Sequence, residues 1–422
     1  MKKLFTILLA VVTAVTCCFG LVACGGDNDN QMKVGLITLH DSNSTYDKNF
    51  IDAFQKACDV KGVKAVIKTQ IPEEEACKTA AMDLADDGCK LVFADSFGHE
   101  SFLKAAAAEY PDVQFCHATG TSTQKEDIAN FHNAFASIYE GRYLAGVAAG
   151  LKLKAMYDAD NTIVKDGVVT VGYVGAFPYA EVKSGYTSWL LGVRSAFEVE
   201  NVTVNMIVEF TNSWYDEVKE KNAANSLIEQ GCVLISQHAD SWGAPKACET
   251  AGVPNVSYNG STESQCPNTF IVSSWINWQP YFEYIIDCVK NGEEIDSDWA
   301  MGLGSTLGNG SVCLTELGKK APADGTQAKL EEVAAGLRNG TVKVFDTSRF
   351  TVTAYAGGPF AELTDVVIDD NGKLTSAKQN GVEVIKTDKG ITYFNESAVD
   401  TNRSAPYFDI DIDGITLNIK ED

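Results

Sequence analysis

A rhythm in the sequence limits what this chain can fold into. From residue 33, short apolar runs rich in β-branched residues alternate with stretches of helical period. K-V-G-L-I-T-L (33–39) reads as a strand, and Ser44 to Val60 as a helix with Phe50, Ile51, Phe54 and Ala57 as its apolar positions. K-A-V-I-K (64–68) is the next strand. The helix at 72–85 carries a proline and glutamates in its first turn, and Gly88 stops it. K-L-V-F-A (90–94), a helix over 99–109 and V-Q-F-C-H (113–117) continue the pattern. Such βαβ units specify a parallel, doubly wound sheet.

The pattern restarts at V-T-V-G-Y-V-G (169–175), with a helix at 181–198 and T-V-N-M-I-V (203–208) as a strand. A helix at 216–230, C-V-L-I-S (232–236), a helix at 243–251 and N-V-S-Y (255–258) follow. Two α/β halves of similar size therefore succeed one another, as lobes that face each other. Beyond about 340 the texture changes to short β-like runs with D-D-N-G (369–372) and D-I-D-G (411–414) turns. This tail is expected to pack on the second lobe.

Open α/β sheets bind ligands outside the carboxyl ends of their strands. The loops at those ends are H-D-S-N-S-T-Y-D, D-S-F-G, H-A-T-G-T, A-F-P-Y-A-E, E-F-T-N-S-W-Y-D, Q-H-A-D-S-W and N-G-S-T. They hold aromatic rings and neutral hydrogen-bonding groups, and neither lysine nor arginine. That chemistry suits a planar, uncharged ligand stacked on rings and read at its edge by Asn, Asp, Ser and Tyr. Tyr46, Phe97 and Trp214 are the pocket candidates because they follow strands, whereas Tyr139, Tyr143 and Phe197 read as core. Ser96, Phe177 and Asn259 lie on the same strand-end loops.

Other chemistries are excluded or weakened. A net charge of −23, from 34 basic and 57 acidic residues, repels nucleic acid. His238, Asp240 and Ser241 share one loop, which rarely builds a triad, and no G-x-S-x-G elbow occurs. No histidine spacing predicts a metal site, and no motif predicts a cofactor. D-I-D-I-D-G (409–414) resembles the start of a calcium loop, but Lys420 stands where the bidentate glutamate is required, so it reads as an alternating edge strand.

The opening residues carry a further expectation. Lys2 and Lys3 precede an apolar stretch from Leu4 to Gly20, then L-V-A-C (21–24) and a glycine-rich polar run. This is a secretory signal, and L-V-A-C resembles a lipobox, in which Cys24 becomes the lipidated N-terminus. An uncleaved anchor is the alternative. Either reading sets the rest of the chain outside the cytoplasmic membrane. Some 400 residues then remain, too many for one core. Cys17 and Cys18 leave with the signal, so nine of the twelve cysteines follow Cys24. They contain no C-x-x-C pair, and Cys89, Cys116 and Cys232 read as buried small hydrophobes.

Several long motifs, in order, identify a relationship. Y-E-G-R-Y-L-A-G-V-A-A-G (139–150), V-G-Y-V-G-A-F-P-Y-A-E-V (171–182), N-S-W-Y-D-E-V-K-E (212–220), S-Q-H-A-D-S-W-G (236–243) and S-S-W-I-N-W-Q-P-Y-F (273–282) carry it. From about Lys33 to Phe360 the chain resembles the basic membrane protein family of ABC-transporter substrate-binding lipoproteins, the purine-nucleoside receptor-like group. The resemblance implies a type I periplasmic-binding fold, two doubly wound lobes joined by a three-crossing hinge, with a β-rich C-terminal appendage. It divides the chain into a signal (1–24), a tether (25–32), an N-terminal lobe (33–150 plus about 278–315), a C-terminal lobe (151–277 plus about 316–360) and the appendage (361–422). It implies a receptor without chemistry of its own, tethered to the bilayer through Cys24 on the extracytoplasmic face and delivering a purine base or nucleoside to a permease. A receptor for another planar ligand such as riboflavin, or a sensor or enzyme on the same fold, is the alternative.

The resemblance also assigns residues. Trp214 in W-Y-D stacks on the base, Tyr46 or Phe50 beside Asp47 stacks opposite, and Asp240 offers an acid to a ribose. Where nucleoside binders carry a ribose-contacting lysine, this chain has Asn277 flanked by Trp275 and Trp278, with at least one Trp expected in the cleft. That departure favours the free base over the nucleoside.

Overall fold

The computed structural model describes residues 31–121, 128–295, 310–355, 363–379, 381–396 and 406–418. The signal, its Cys24 and most of the tether lie outside the described residues. Strands β1 (Lys33–Ile37), β2 (Lys64–Lys68), β3 (Cys89–Ala94), β4 (Gln114–Ala118) and β5 (Phe131–Ala134) form a parallel sheet in the order β2-β1-β3-β4-β5. Helices α1 (Thr45–Lys61), α2 (Glu75–Asp86) and α3 (Glu100–Glu109) connect its strands. Local chemistry sets the ends of α1. Ser44 caps it by accepting from the Asp47 N–H, and Gly62 closes it in the left-handed region at φ 63°.

The second sheet is built from β6 (Val168–Gly175), β7 (Thr203–Phe210), β8 (Ile235–Gln237), β9 (Asn255–Tyr258), β10 (Phe270–Ile276), β11 (Val312–Leu314) and, from the tail, Ile415–Asn418. Its order is β11-β10-β9-β8-β6-β7 and then the tail strand, with only the β10–β11 pair antiparallel. Helix α4 (Ile138–Ala159) packs on this sheet through α5 (Ala180–Ala196) and β10, so the chain crosses lobes between Ala134 and Ile138. This crossing precedes the expected boundary at 150. The reason is backbone contact: a Cβ at Gly146 would land on the Trp189 carbonyl, and one at Gly192 on that of Tyr143. Only glycine lets these two helices approach so closely.

The remaining helices are α6 (Glu217–Glu229), α7 (Gly243–Ala251), α8 (Gln279–Asn291) and α9 (Thr326–Asn339). The chain leaves the second sheet after β10, and α8 packs on α1 through Phe54 and Phe282, 5.1 Å apart, and a Lys61–Asp287 ion pair at 2.6 Å. It then re-enters the second sheet at β11. In the tail, Phe408 stacks on Phe345 at 4.2 Å, inside the core that also holds Trp189 and Phe350. The alternating segment at 409–414 forms a short strand, Ile410–Ile412, paired with Val352–Tyr355. All nine cysteines in the described residues are buried, and none forms a disulfide with another of them.

Replacing Gly192 by alanine should cost roughly 1–3 kcal/mol or more by overpacking the α4–α5 contact. Urea unfolding measures it, and an unchanged midpoint would mean the helices tolerate separation there.

Candidate functional site

A cavity of about 670 Å³, counting its open mouth, lies where the carboxyl ends of the two sheets face each other. The first sheet supplies Leu39 and His40 after β1, Ser96 and Phe97 after β3, and Thr119 after β4, while the first turn of α1 supplies Tyr46 and Asp47. The second supplies Tyr179 and Glu181 after β6, Trp214 after β7, His238 and Asp240 after β8, and Tyr258 at the end of β9. Pro406 of the tail completes the lining. Among the described residues no lysine or arginine side chain lines it.

Six of the residues expected from sequence thus meet around one cavity: Tyr46, Asp47, Ser96, Phe97, Trp214 and Asp240. Two others stand one layer back. Asn259 donates to the Asp240 carboxylate at 3.1 Å, and Phe177 lies parallel to Tyr179 at 5.1 Å with its edge toward Trp214. The other three lie elsewhere. Phe50 is fully buried, stacked on Trp278 at 4.6 Å, because that face of α1 must cover α8. Trp275 sits on β10 opposite Cys313. Asn277 receives the Gln279 N–H and gives its own N–H to Ser311, so it shapes the crossing. Neither tryptophan of that stretch lines the cavity, because Trp278 fills an aromatic core with Phe93, Tyr281 and Phe282.

Sequence reasoning missed His40, Thr119, Tyr179, Glu181, His238 and Tyr258 as lining residues. It also missed the cation behind them. Arg142, on α4, is buried; it donates to the Gln237 carbonyl at 2.9 Å, faces His238 Nδ1 at 3.0 Å, and lies over the Tyr258 ring at 3.2 Å. A lone arginine inside an otherwise apolar stretch of Y-E-G-R-Y-L-A-G was the available signal.

These contacts define protonation. A guanidinium has no acceptor, so His238 Nδ1 must accept from Arg142 and the ring proton sits on Nε2. Nε2 then donates to Glu181 at 2.8 Å. Burial, seconded by Arg142 against Glu181, holds the imidazole below its ordinary range. On the opposite wall Asp47 accepts from Ser44 Oγ at 2.5 Å and from the His40 N–H at 2.6 Å. Burial first, then the nearby Asp47 charge, pushes Asp95 and Asp240 well above the carboxylate range, toward their neutral forms. Burial pushes Glu220 up to about 7, where it braces the 240 loop by accepting from the Ser241 N–H. Thr119 holds φ 63°, a left-handed conformation that β-branched residues seldom adopt.

The lobes touch across the cavity. Thr45 donates both its N–H and its hydroxyl to the Asp240 carbonyl, at 3.1 and 3.0 Å. Phe97 meets Tyr179 at 5.4 Å, and His40 meets Tyr215 at 5.3 Å. The result is an aromatic slot with carboxyl groups at its edges, closed by direct contacts between lobes.

A family model described as ABC transporter substrate-binding protein, PnrA-like, matches residues 37–320. A purine-binding protein of Brucella abortus is 32% identical over 237 residues, 56% of this chain and 60% of that protein. A candidate ABC transporter glucose-binding protein of Haloferax volcanii is 33% identical over 210 residues, 50% of this chain and 48% of that protein. The chain thus spans about half the length of these curated relatives. Among solved structures, an ABC transporter solute-binding protein of Aeropyrum pernix superposes with a TM-score of 0.60 at 16% identity, covering 74% of this chain and 93% of its own. One from Conexibacter woesei gives 0.54 at 19%, covering 74% and 98%. At such identities the likeness is one of fold, the two-lobed type I periplasmic-binding architecture.

His238 should remain neutral, protonated on Nε2, at a pH just below the ordinary histidine value of 6.5. Its folded value is depressed, so the unfolded chain binds a proton there first and native stability falls as pH drops below 6.5. Nitrogen NMR of the ring checks this; an imidazolium at pH 6.5 would overturn the tautomer assignment.

Proposed function

The chain belongs to the family of PnrA-like ABC transporter substrate-binding proteins, and from that premise we propose that it is an importer's solute receptor whose cargo is a purine base or its nucleoside. The observation that carries this reading is the slot itself. Trp214, Tyr179, Phe97 and Tyr258 offer aromatic rings, Asp47, Glu181 and Asp240 offer carboxyl groups, and among the described residues no lysine or arginine lines the slot. A purine presents a planar π-face and N–H donors at its rim, and a ribose adds hydroxyl donors. Both needs are met by aromatic walls edged with acceptors. Stacking of a base on such rings contributes about 1–3 kcal/mol each.

The Brucella abortus relative, a purine-binding protein by name, supports the same ligand class. The Haloferax volcanii relative, named for glucose, supplies the competing ligand. The lack of a lysine at Asn277 no longer ranks base against nucleoside, because Asn277 does not line the cavity. In this proposal the protein is held at the extracytoplasmic membrane face through Cys24 and passes its ligand unchanged to a permease.

The test is a thermal-shift screen on protein unfolded and refolded to strip bound ligand. The panel is adenine, hypoxanthine, guanine, xanthine, their nucleosides, riboflavin and glucose. A ligand at a hundred times its Kd adds about 2.7 kcal/mol, enough to raise Tm visibly. Purine stabilisation is expected; silence from every purine with a shift for glucose would overturn the ligand assignment. Trp214→Ala should weaken binding by roughly 5- to 150-fold in calorimetry, the stacking range above, whereas Trp275→Ala should leave it unchanged. Equal losses from both would mean the slot is not the binding site.

A further inference from the structure

We propose that the C-terminal tail, beyond the residues that define the family, is part of the ligand site: Pro406 forms one wall of it, and Asp409 and Asp411 position Glu181 through Lys183. The inference rests on the reading of the cleft as the ligand site, and the residues involved are well separated in sequence.

Glu181 lies in the first turn of α5 and faces the cavity. Two residues on, Lys183 points away from the cavity and is buried, which an ammonium tolerates only when its charge is met. The tail meets it twice, Asp409 at 2.8 Å and Asp411 at 2.7 Å. The next residue, Ser184, donates to Glu396 at 2.5 Å, and Glu396 in turn accepts from the Phe408 N–H at 2.7 Å. One turn of helix is therefore gripped by three acids of the tail. At the far end of the same helix, Arg194 pairs with Asp413 at 3.1 Å and donates to the Asp413 carbonyl.

This adds a role to the strand segment D-I-D-I-D (409–413), whose two faces differ in chemistry. Ile410 and Ile412 are buried, and the alternate aspartates face the cations of α5. Phe408, stacked on Phe345, anchors the segment so that Pro406, two residues earlier, reaches the cavity. A tail serving only as a cover would need neither a second carboxylate on Lys183 nor a residue in the cavity wall.

Two substitutions in the full chain test this, with adenine and glucose as probes. Pro406→Trp narrows the cavity from the tail side, and should lower affinity for whichever probe stabilises the wild type by about tenfold or more while leaving the ligand-free Tm in place. Asp411→Asn removes one of two partners from Lys183. It should weaken binding several-fold and speed amide hydrogen exchange across residues 181–184, a readout that needs no ligand. In a Glu181→Gln background the Asp411→Asn effect on affinity should vanish, because the aspartate acts through that carboxylate. Wild-type affinity in Pro406→Trp, with unchanged exchange in Asp411→Asn, would overturn the proposal. A wild type that prefers glucose to adenine would refute the purine reading while the tail effects are still read on glucose.

Discussion

A guanidinium withdrawn from water must be surrounded, and much of the site follows from how Arg142 is surrounded. Its partners are a carbonyl at the end of β8, a ring nitrogen of His238 and the face of Tyr258. Meeting them fixes the strand ends of the second lobe against α4. It also fixes which nitrogen of His238 donates, and so where Glu181 must stand. The close approach of α4 and α5 through Gly146 and Gly192 brings Arg142 within reach in the first place. Backbone contact, buried charge, tautomer and cavity-facing carboxylate thus form one connected sequence of causes.

The opposite wall is organised by different means. Its Tyr46 and Asp47 belong to a helix N-terminus, where Ser44 and Asp47 satisfy each other and the His40 amide. Between the walls the contacts are few and mostly local: two hydrogen bonds from Thr45 to one carbonyl, and ring contacts at 5.3 and 5.4 Å. Such contacts are small beside the core under each lobe. In the proposed receptor, a hinge motion would break these contacts and leave the core of each lobe intact.

Much of this was legible in the sequence because periodicity and strand-end position are local properties. The rhythm of strand and helix, with Gly88 and Pro72 as punctuation, gave both parallel sheets, the carboxyl-end rule selected Tyr46, Phe97 and Trp214, and the family resemblance added Asp240. Failures came where a side chain's direction depends on distant packing. Phe50 shares a helix with Tyr46 and Asp47, but its face of α1 is claimed by α8. At least one of Trp275 and Trp278 was expected in the cleft, yet Trp278 is core, because the aromatic cluster it joins brings together Phe50, Phe93 and Phe282, distant in sequence. The early lobe crossing was hidden for a similar reason: only the structure shows that the small residues of α4 face α5. Arg142 and the tail acids were invisible as site components because their partners lie 96 and more than 200 residues away.

The nine buried thiols have a consequence of another kind. Burial pushes Cys58, Cys77, Cys116 and Cys232 up to about 12, and Cys89 and Cys266 up to about 11. The thiolate, which oxidants and alkylating reagents attack, is therefore scarce at these six positions at neutral pH. Because Cys77, Cys89 and Cys116 belong to α2, β3 and β4 of the first lobe and Cys232, Cys248 and Cys266 to the second, each lobe also carries its own clock. When labelling outpaces reclosing, a thiol is modified at the rate at which its surroundings open, so the two halves can be timed separately in one unaltered chain.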